Sequence, residues 1–427
     1  MPPIRNGKIN CMISIRLVAL AASAAVLGLA LVATAPAFAQ DPLLHLQIGD
    51  PARKDREVPL VLDAITDTAD GSLLTPDELA KRLAGVRLLL VGEEHTSIEF
   101  HRVQARIIEA LVAAGRKVIL GLEMYPYTAQ AGLDAWPAGS QPEEEFITAS
   151  RWYEHWGYSW HYYRDIFLYA RAHRLPLVAV NTPREVVAAV RRKGLENLTP
   201  EEKRHIPADI DVDHADHMAF FKATFAGAEG PVHGPGMSDT MWRNMLSAQA
   251  TWDASMGANA VKALARPENR DAIMVVLVGS GHVAYGVGIE RQARKWFDGR
   301  IASLIPVAVT RVHGPTVKTA QASYANYLWA VPTEIDTLYP SLGLSMAVGQ
   351  GETARTVLLV QNRTPAADAG FLPKDVLLSM DGTPIPDKET YSRLMAGKRW
   401  GDAATFEVRR GTETVTLKAV FRRRLNQ

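Results

Sequence analysis

The stretch Leu88–Val103, LLLVGEEHTSIEFHRV, ends an apolar run at a glycine and follows it at once with two glutamates and a histidine. A second stretch, Val275–Tyr285, VVLVGSGHVAY, repeats this pattern much later in the chain. A short apolar run of this kind is typical of a strand that is covered on both faces. In both stretches the histidine comes three residues after the glycine. The sequence therefore predicts two buried strands that each carry a histidine just beyond their ends.

Further apolar runs alternate with segments of helical periodicity. The predicted strands are Val86–Val91, Lys117–Leu122, Leu177–Val180, Ala272–Val278 and Ile301–Val309. One predicted helix begins at Thr75. The other predicted helices cover Ser97–Ala114, Asp165–His173, Pro183–Arg192, Asp211–Phe225 and Ser238–Ala265. Alternating strands and helices with continuously apolar strands favour an α/β fold, in which helices cover a mostly parallel sheet.

Polar residues follow several of these strands. In such sheets ligands bind beyond the carboxyl ends of the strands. The residues expected on that rim are Glu93, Glu94, His95, Glu123, Asn181 and His282. Carboxylates that lie close together need a cation between them, or one of them must have a raised pKa. The rim is therefore a candidate functional site, although a histidine after a strand is often only a helix cap.

Two chemistries are open for this rim. A divalent metal ion could be held by His95, Glu123 and His282, which are ligand types that transition metals accept. Alternatively, a hydrolase could use its side chains as general acids and bases without a metal. The set that would act in that case is Glu93, His95, Glu123 and His282.

Five motifs carry a family resemblance. They are GEEH (Gly92–His95), GLEM (Gly121–Met124), NTPR (Asn181–Arg184), AQATWDASMG (Ala248–Gly257) and GSGH (Gly279–His282). Together, over Leu73–Thr310, they resemble the ChaN family of bacterial haem-binding proteins associated with iron uptake. That family is grouped with the Tiki/TraB proteins and the erythromycin esterases. The motifs add further candidate pocket residues, namely Asn181, Arg184, Gln249 and Asp253.

The resemblance implies an α/β fold and a haem shared by two monomers, and hence a homodimer. A tyrosine of one monomer would bind the iron, and His and Lys of the other would meet the propionates. Tiki-like relatives imply instead a divalent-metal protease, and the esterases a metal-free hydrolase. This chain departs from ChaN lipoproteins because it has no lipidation cysteine and carries an additional C-terminal segment.

An aromatic segment could form the haem slot that the resemblance implies. Between Trp152 and Tyr169 the sequence WYEHWGYSWHYYRDIFLY has eleven aromatic residues if histidine is included. Haem requires an apolar slot, an axial ligand and cations for its propionates. The candidate ligands are Tyr158, Tyr162 and Tyr163, with His155 and His161 as alternatives, and the candidates for the propionates are His217 and Lys222. The same rings could instead only pack over the edge of the sheet.

The alternation fails after Thr310, and residues 40–320 are therefore assigned to the α/β domain and 321–340 to a linker. Residues 341–422 have the short strands and turns of a small, mainly β domain. SLGLSMAV (Ser341–Val348) and NRTPAADAGFLPKDVLLSMDGTPI (Asn362–Ile385) resemble an HtrA-type PDZ domain. The resemblance implies that Leu342, Gly343 and Leu344 present backbone N–H groups to the C-terminal carboxylate of a peptide or partner protein. Alternatively, the domain only stabilises a dimer or packs on its own chain.

The N-terminus resembles a secretory signal. Basic residues precede an apolar stretch, Leu17–Ala35, and small residues follow at Ala37 and Ala39. We therefore expect residues 1–39 to be a cleaved signal peptide and the protein to be periplasmic or secreted. An uncleaved membrane anchor is the alternative, since the apolar stretch approaches the length of a span.

Composition excludes several classes of protein. The chain is 47% hydrophobic and 22% charged, as is usual for a globular protein. Without residues 1–39 it would keep 44 basic and 46 acidic residues, a balance that does not favour a nucleic-acid partner. Its single cysteine, Cys11, lies in the predicted signal, so we expect neither a disulfide nor a thiolate nucleophile in the mature protein.

Overall fold

An eight-stranded sheet organises the larger part of the chain. The structure is a computed structural model, and it describes residues 41–225, 238–310, 318–334, 336–347 and 351–423. The predicted signal peptide, residues 1–39, lies outside the described residues. The strands of this part are β1 (Glu57–Leu60), β2 (Ile65–Asp67), β3 (Leu73–Leu74), β4 (Val86–Glu93), β5 (Val118–Pro126), β6 (Leu177–Asn181), β7 (Ile273–Gly279), β8 (Arg300–Val309), β9 (Lys318–Gln321) and β10 (Tyr327–Pro332).

Helices connect these strands. They are α1 (Pro76–Arg82), α2 (Ile98–Ala113), α3 (Glu143–Ala149), α4 (Trp152–His155), α5 (Arg164–Ala172), α6 (Arg184–Lys193), α7 (Pro200–Lys203), α8 (Ala215–Phe225), α9 (Asp239–Leu264) and α10 (Ile289–Ala293). Thr75 forms the predicted N-cap of α1, and its side chain accepts a hydrogen bond from the backbone of Glu78. Helix α8 begins at Ala215, four residues later than the sequence pattern predicts. None of the helices in the described part of the chain combines the length and apolar character that a bilayer crossing requires.

The sheet is mostly parallel, as predicted. Its strand order is β3-β2-β10-β8-β4-β7-β5-β6, and every pair from β10 to β6 is parallel, whereas β2 pairs antiparallel with both β3 and β10. The strands β4, β7 and β5 are therefore adjacent, and their carboxyl ends lie at the same edge.

Helices cover both faces of the sheet, which explains the unbroken apolar strands. Along β4, Leu89 and Val91 belong to one buried cluster, which includes Ile107 of α2. Leu88 and Leu90 point to the other face and join a second cluster with Met256 of α9. Since successive side chains of a strand point to opposite faces, a strand that is covered twice has no polar alternation.

The segment 321–340, predicted to be a linker, instead contains a strand of the main sheet. Strand β10 pairs in parallel with β8 along Leu304–Val309, and its Trp329 is buried. The described residues between β8 and β10 contain strand β9 and no helix, so this part of the chain breaks the alternation from which the boundary was inferred. Its place in the sheet depends on pairing with residues distant in sequence.

A small domain follows. Its strands are β11 (Leu344–Met346), β12 (Val357–Val360), β13 (Val376–Met380), β14 (Thr383–Pro384), β15 (Ala403–Arg410) and β16 (Glu413–Val420), and its helices are α11 (Pro365–Ala369) and α12 (Lys388–Ala396). A four-stranded antiparallel sheet, β14-β13-β15-β16, and the pair β11-β12 surround its own buried cluster, so the domain is mainly β, as predicted. Asp41–Gln427 form one compact unit, and Ala396 of α12 packs against the core of the larger sheet.

Candidate functional site

The carboxyl ends of β4, β7 and β5 bring the predicted rim residues together. Glu93 is the last residue of β4, and Glu123 lies on β5 where its pairing with β6 shifts register after Leu122. His95 follows β4 by two residues, and His282 follows β7 by three. Both histidines of the repeated sequence pattern therefore reach one site.

Glu93 is the most enclosed carboxylate of this site. Its Oε1 accepts a hydrogen bond from the Tyr163 hydroxyl at 2.6 Å and lies 2.8 Å from Nδ1 of His95. Its Oε2 accepts a hydrogen bond from the Gln104 amide at 2.8 Å. Burial acts to raise the pKa of Glu93, but the charges of His101 and His95 and these hydrogen bonds lower it to about 2. Glu93 is thus a carboxylate at neutral pH.

Glu123 faces both neighbouring strand ends. Its Oε2 accepts a hydrogen bond from the backbone N–H of Gly279 at 2.7 Å, and its Oε1 lies 3.4 Å from Nε2 of His282. Burial raises the pKa of Glu123, but the hydrogen bond and charge of His282 outweigh burial and lower it. A β-carbon on Gly279 would lie 3.2 Å from Cε1 of His95, so the glycine lets the imidazole approach the strand end.

His282 is held by helix α9. Its Nδ1 lies 2.6 Å from Oδ1 of Asp253 and 2.9 Å from the amide nitrogen of Gln249. Although burial lowers the pKa of His282, the charges and hydrogen bonds of Asp253 and Glu123 raise it to about 10. At neutral pH these two carboxylates favour the imidazolium form of His282.

The metal-ligand set that the structure assembles differs from the predicted one. Among the described residues, Glu93, His95 and Glu123 each offer one donor atom, and these atoms lie within 4.8 Å of one another. The predicted set was His95, Glu123 and His282, so Glu93 takes the place that the prediction gave to His282. Both ring nitrogens of His282 already face carboxylates, those of Asp253 and Glu123.

Two rings of the aromatic segment, those of Trp156 and Tyr158, lie against His95 of the rim. The ring centroids of Trp156 and Tyr158 lie 4.8 Å and 4.9 Å from that of His95. The indole of Trp156 is buried, while Tyr158 keeps part of its side chain exposed. An external ligand could therefore reach the phenol of Tyr158 at the edge of the rim.

The three candidate tyrosines occupy different environments. Tyr163 is fully buried, and burial together with the charge of Glu93 raises the pKa of its phenol well above 10. Tyr162 is also buried, and its hydroxyl accepts a hydrogen bond from the backbone N–H of Tyr339. The hydroxyl of Tyr158 has no hydrogen-bond partner in the part of the chain that the structure describes. Of the three tyrosines, Tyr158 alone is not buried.

The predicted propionate contacts are not brought together. His217 is buried, with its Nε2 atom 3.5 Å from Oδ2 of Asp253 and its Nδ1 atom 3.2 Å from the guanidinium of Arg291. Lys222 lies exposed on the last turn of α8. The backbone carbonyl of the alternative ligand His155 accepts a hydrogen bond from the guanidinium of Arg184.

Three other predicted residues have supporting or separate positions. The Asn181 amide donates a hydrogen bond to the carbonyl of Glu123 at 2.8 Å, which holds the end of β5. Glu94 points away from Glu93 and lines a cleft of about 1000 Å³ beside the small domain, where burial and the charge of Glu334 raise its pKa. His161 is exposed and stacks on Tyr339.

The predicted peptide-binding loop begins strand β11. Gly343 has φ +84°, and a β-carbon there would collide with Thr364, so the loop requires glycine. The carbonyl of Leu342 accepts a hydrogen bond from Ala366. In the described residues, β11 pairs on one side only, with β12 through Leu344, so its other edge is available for an added strand.

Two residues that sequence reasoning missed support Glu93. His101 and Gln104 lie one turn apart on the buried face of α2, with 2% and 0% of their surface exposed. Polar side chains on the apolar face of an amphipathic helix need buried partners. The position of these two polar residues on the apolar face was therefore the sequence signal for a buried partner. Glu93 is the partner of both side chains.

Comparisons with known proteins agree with this architecture. Residues 79–292 match the family described as "Haem-binding uptake, Tiki superfamily, ChaN", and residues 340–420 match the PDZ domain. ChaN of Campylobacter jejuni with cofacially bound heme is similar over 62% of this chain and 95% of that chain, at 17% identity and a TM-score of 0.48. The erythromycin esterase EreC in its open conformation is similar over 61% and 83%, at 15% identity and a TM-score of 0.34.

The small domain has its own similar structures. The HtrA-type protease AlgW with a decapeptide is similar over 21% of this chain and 30% of that chain, at 26% identity and a TM-score of 0.19. No curated protein matches the chain.

Proposed function

Because this chain belongs to the haem-binding uptake family ChaN of the Tiki superfamily and carries a C-terminal PDZ domain, we propose that it binds haem in haem or iron acquisition. The observation that supports this proposal best is the position of Tyr158. Its ring lies beside those of His95 and Trp156, and its hydroxyl has no hydrogen-bond partner among the described residues. A ferric haem needs such an accessible oxygen ligand and an apolar surface for the macrocycle.

The residues around Tyr158 fit a haem. The ring of Tyr158 packs against the buried indole of Trp156, with their centroids 5.3 Å apart, so the exposed part of Tyr158 is backed by apolar side chains. Burial and the charges of Glu123 and Glu93 raise the pKa of the free Tyr158 phenol, and the positive charge of Arg184 acts in the opposite direction. Ferric iron would supply the Lewis acidity that stabilises the phenolate when haem is bound. Without haem, Tyr158 therefore stays protonated at neutral pH.

A haem titration followed by visible absorption tests this proposal. A phenolate ligand gives ferric haem a high-spin spectrum with a charge-transfer band, because phenolate is a weak-field ligand. We expect this spectrum in the wild-type protein and its loss in Tyr158→Phe. Tyr169→Phe is the matched control, since Tyr169 lies on the same aromatic segment but stacks on His173 away from the rim. A low-spin spectrum that persists in Tyr158→Phe would contradict the assignment.

A metal-dependent hydrolase is the second candidate function. The observation in its favour is the cluster of Glu93, His95 and Glu123, whose donor atoms lie within 4.8 Å of one another. Two carboxylates and an imidazole are acceptable donors for a divalent transition metal, which would act as a Lewis acid on a substrate carbonyl. His282 would act only indirectly, because both of its ring nitrogens face carboxylates, and its contact with Glu123 would help to position that ligand.

Activity assays separate the two candidates. Ester and peptide hydrolysis would be measured with each common divalent metal, in wild-type protein and in Glu93→Gln. Activity that requires a metal and disappears in the variant would support the hydrolase. Absence of hydrolysis with every metal, together with a phenolate-type haem spectrum, would leave only the haem-binding function.

The PDZ domain would recruit a peptide or protein C-terminus. The available edge of β11 and the loop Leu342–Leu344 support this assignment, since a peptide adds to a PDZ domain as a strand. Binding of short peptides can be followed by fluorescence anisotropy, and blocking their C-terminal carboxylate as an amide should abolish it. Equal affinity for the acid and the amide would contradict this mode of binding.

Export and dimerisation complete the proposal. Mass spectrometry of periplasmic protein should show a chain that begins near Gln40, whereas an intact N-terminus in the membrane fraction would favour an anchor. A haem shared by two monomers links haem affinity to association. Sedimentation should therefore show a larger dimer fraction with haem than without it.

A further inference from the structure

Two cations from distant parts of the chain meet at one turn, His155–Tyr158. Arg184, the first residue of α6, donates a hydrogen bond from Nη2 to the carbonyl of His155 at 2.7 Å. Lys388, the first residue of α12 in the PDZ domain, places Nζ 3.6 Å from the position of a β-carbon on Gly157. The PDZ domain thus contributes a positive charge to the turn at Gly157, the residue before Tyr158.

Among the residues that the structure describes, neither cation is paired with a carboxylate. Within the described residues, neither Arg184 nor Lys388 forms an ion pair within the 4.0 Å limit for a salt bridge. The acidic residue that acts on Arg184 is Glu185, which is exposed. Burial lowers the pKa of both cations, and for Lys388 the charge of Arg184 adds to burial and lowers the pKa to about 8.

This arrangement is costly for the protein alone. Each cation is the first residue of its helix, where the helix dipole disfavours positive charge. Removing charge from water without a partner also costs free energy. Such a pair of cations is expected where an anion binds, because the anion offsets both costs.

We propose that Arg184 and Lys388 form a carboxylate-binding site beside Tyr158, and that the carboxylates it binds are the propionates of the haem. This inference rests on the proposed function for the identity of the ligand. Haem carries its two carboxylates on one edge of the macrocycle. A haem whose iron is bound by Tyr158 would have the neighbouring turn, and hence both cations, within its reach. Arginine and lysine are the usual partners of carboxylates because they form charge-assisted hydrogen bonds.

The PDZ domain would therefore complete the haem site. Helix α12 of this domain supplies Lys388 at its first residue. The guanidinium of Arg393, also on α12, lies over the ring of Tyr153 in α4, 5.4 Å from the ring centroid. Displacement of α12 would remove one of the two cations from the turn. Haem retention thus depends on a domain that lies outside the matched ChaN segment.

Haem and haem dimethyl ester provide the test, because esterification removes the propionate charges and leaves the iron unchanged. The full protein would be titrated with both, as wild type, Lys388→Gln and the control Lys374→Gln. Lys374 is an exposed lysine of the same domain. We expect the wild type to bind haem at least about tenfold more tightly than the ester. Lys388→Gln should lose about tenfold in affinity for haem and little for the ester, with the phenolate-type spectrum retained.

The outcomes separate this inference from the proposed function. Equal affinities of the wild type for haem and ester, or an unchanged haem affinity in Lys388→Gln, would overturn the carboxylate site while haem binding stands. No binding of haem by the wild type would overturn both. Lys388 is the better test residue, because Arg184 also holds the turn through His155, and a loss in Arg184→Gln could be structural. A shift of haem affinity without a shift of ester affinity is a readout that misfolding would not produce.

Discussion

The Nδ1 atom of His282 lies 2.6 Å from Oδ1 of Asp253, and the Asp253 side chain has no exposed surface. The contact with Asp253 keeps the imidazole of His282 protonated. In Asp253→Asn the shape is retained but the charge is lost, so the pKa of His282 should fall. NMR titration of the His282 ring protons measures that shift. Since the charge of a buried pair is removed, we also expect a loss of roughly 1–3 kcal/mol in the free energy of unfolding.

Asp271→Asn is the control for this variant. Asp271 is an exposed aspartate that contacts only Arg270 among the ion pairs of the described residues. Its replacement should leave both the His282 titration and the urea midpoint unchanged. If the pKa of His282 stayed near 10 in Asp253→Asn, Glu123 alone would account for its protonation.

A second prediction concerns divalent metals. Isothermal titration with zinc or manganese should detect one site in the wild type, and Glu93→Gln should weaken it at least about 100-fold by loss of one anionic ligand. Glu94→Gln should bind like the wild type, because Glu94 faces the cleft beside the small domain. Because the two glutamates are adjacent in sequence and carry the same charge, comparing the two variants separates the effect of the cluster from that of total charge. Equal losses in both variants would show that total charge, and not the cluster, attracts the metal.

A third prediction separates Tyr163 from Tyr158. Tyr163→Phe removes the hydrogen bond to the buried Glu93, so unfolding free energy should fall by about 1–3 kcal/mol in urea denaturation. The haem spectrum should remain, because the Tyr163 hydroxyl is fully buried. Loss of the spectrum with unchanged stability would mean that Tyr163, and not Tyr158, binds the iron.

The fourth prediction is that Lys388→Met stabilises the haem-free protein. The pKa of Lys388 is lowered from 10.5 to about 8 by burial and by Arg184, so the folded state disfavours the charged form. Below pH 8 the lysine is charged in both states and the full cost is present. Between pH 8 and 10.5 the lysine is neutral in the folded state but still charged in the unfolded state, so the cost falls, and above pH 10.5 it is neutral in both states and the cost is gone. The variant should therefore gain about 1–3 kcal/mol at pH 7, and the gain should shrink by pH 10.5.

Denaturation with urea at several pH values, in wild type, Lys388→Met and Lys374→Met, measures this dependence. A gain that is independent of pH would indicate only the added apolar surface of methionine. A loss of stability at pH 7 would show that the Lys388 ammonium has a partner in the folded protein.

Local sequence patterns determined the strands that carry the site. The apolar runs that end at Glu93 and Gly279 have no polar face, so both faces of these strands must be covered by other elements. This requirement favours a parallel sheet that is covered by helices. Parallel strands share one edge for their carboxyl ends, so the convergence of His95 and His282 followed from the sequence. The PDZ domain followed likewise from its loop and turn residues.

Tertiary structure decided which side chains act together. Glu93, and not His282, completes the cluster with His95 and Glu123, because Asp253 on α9 engages His282 from a position far along the chain. Pairing with β8 placed 327–332 in the main sheet, although the local pattern predicted a linker. The accessible tyrosine and the unpaired cation of α12 depend in the same way on what packs against them. Burial and charge partners are set by contacts between residues distant in sequence, and no local periodicity encodes them.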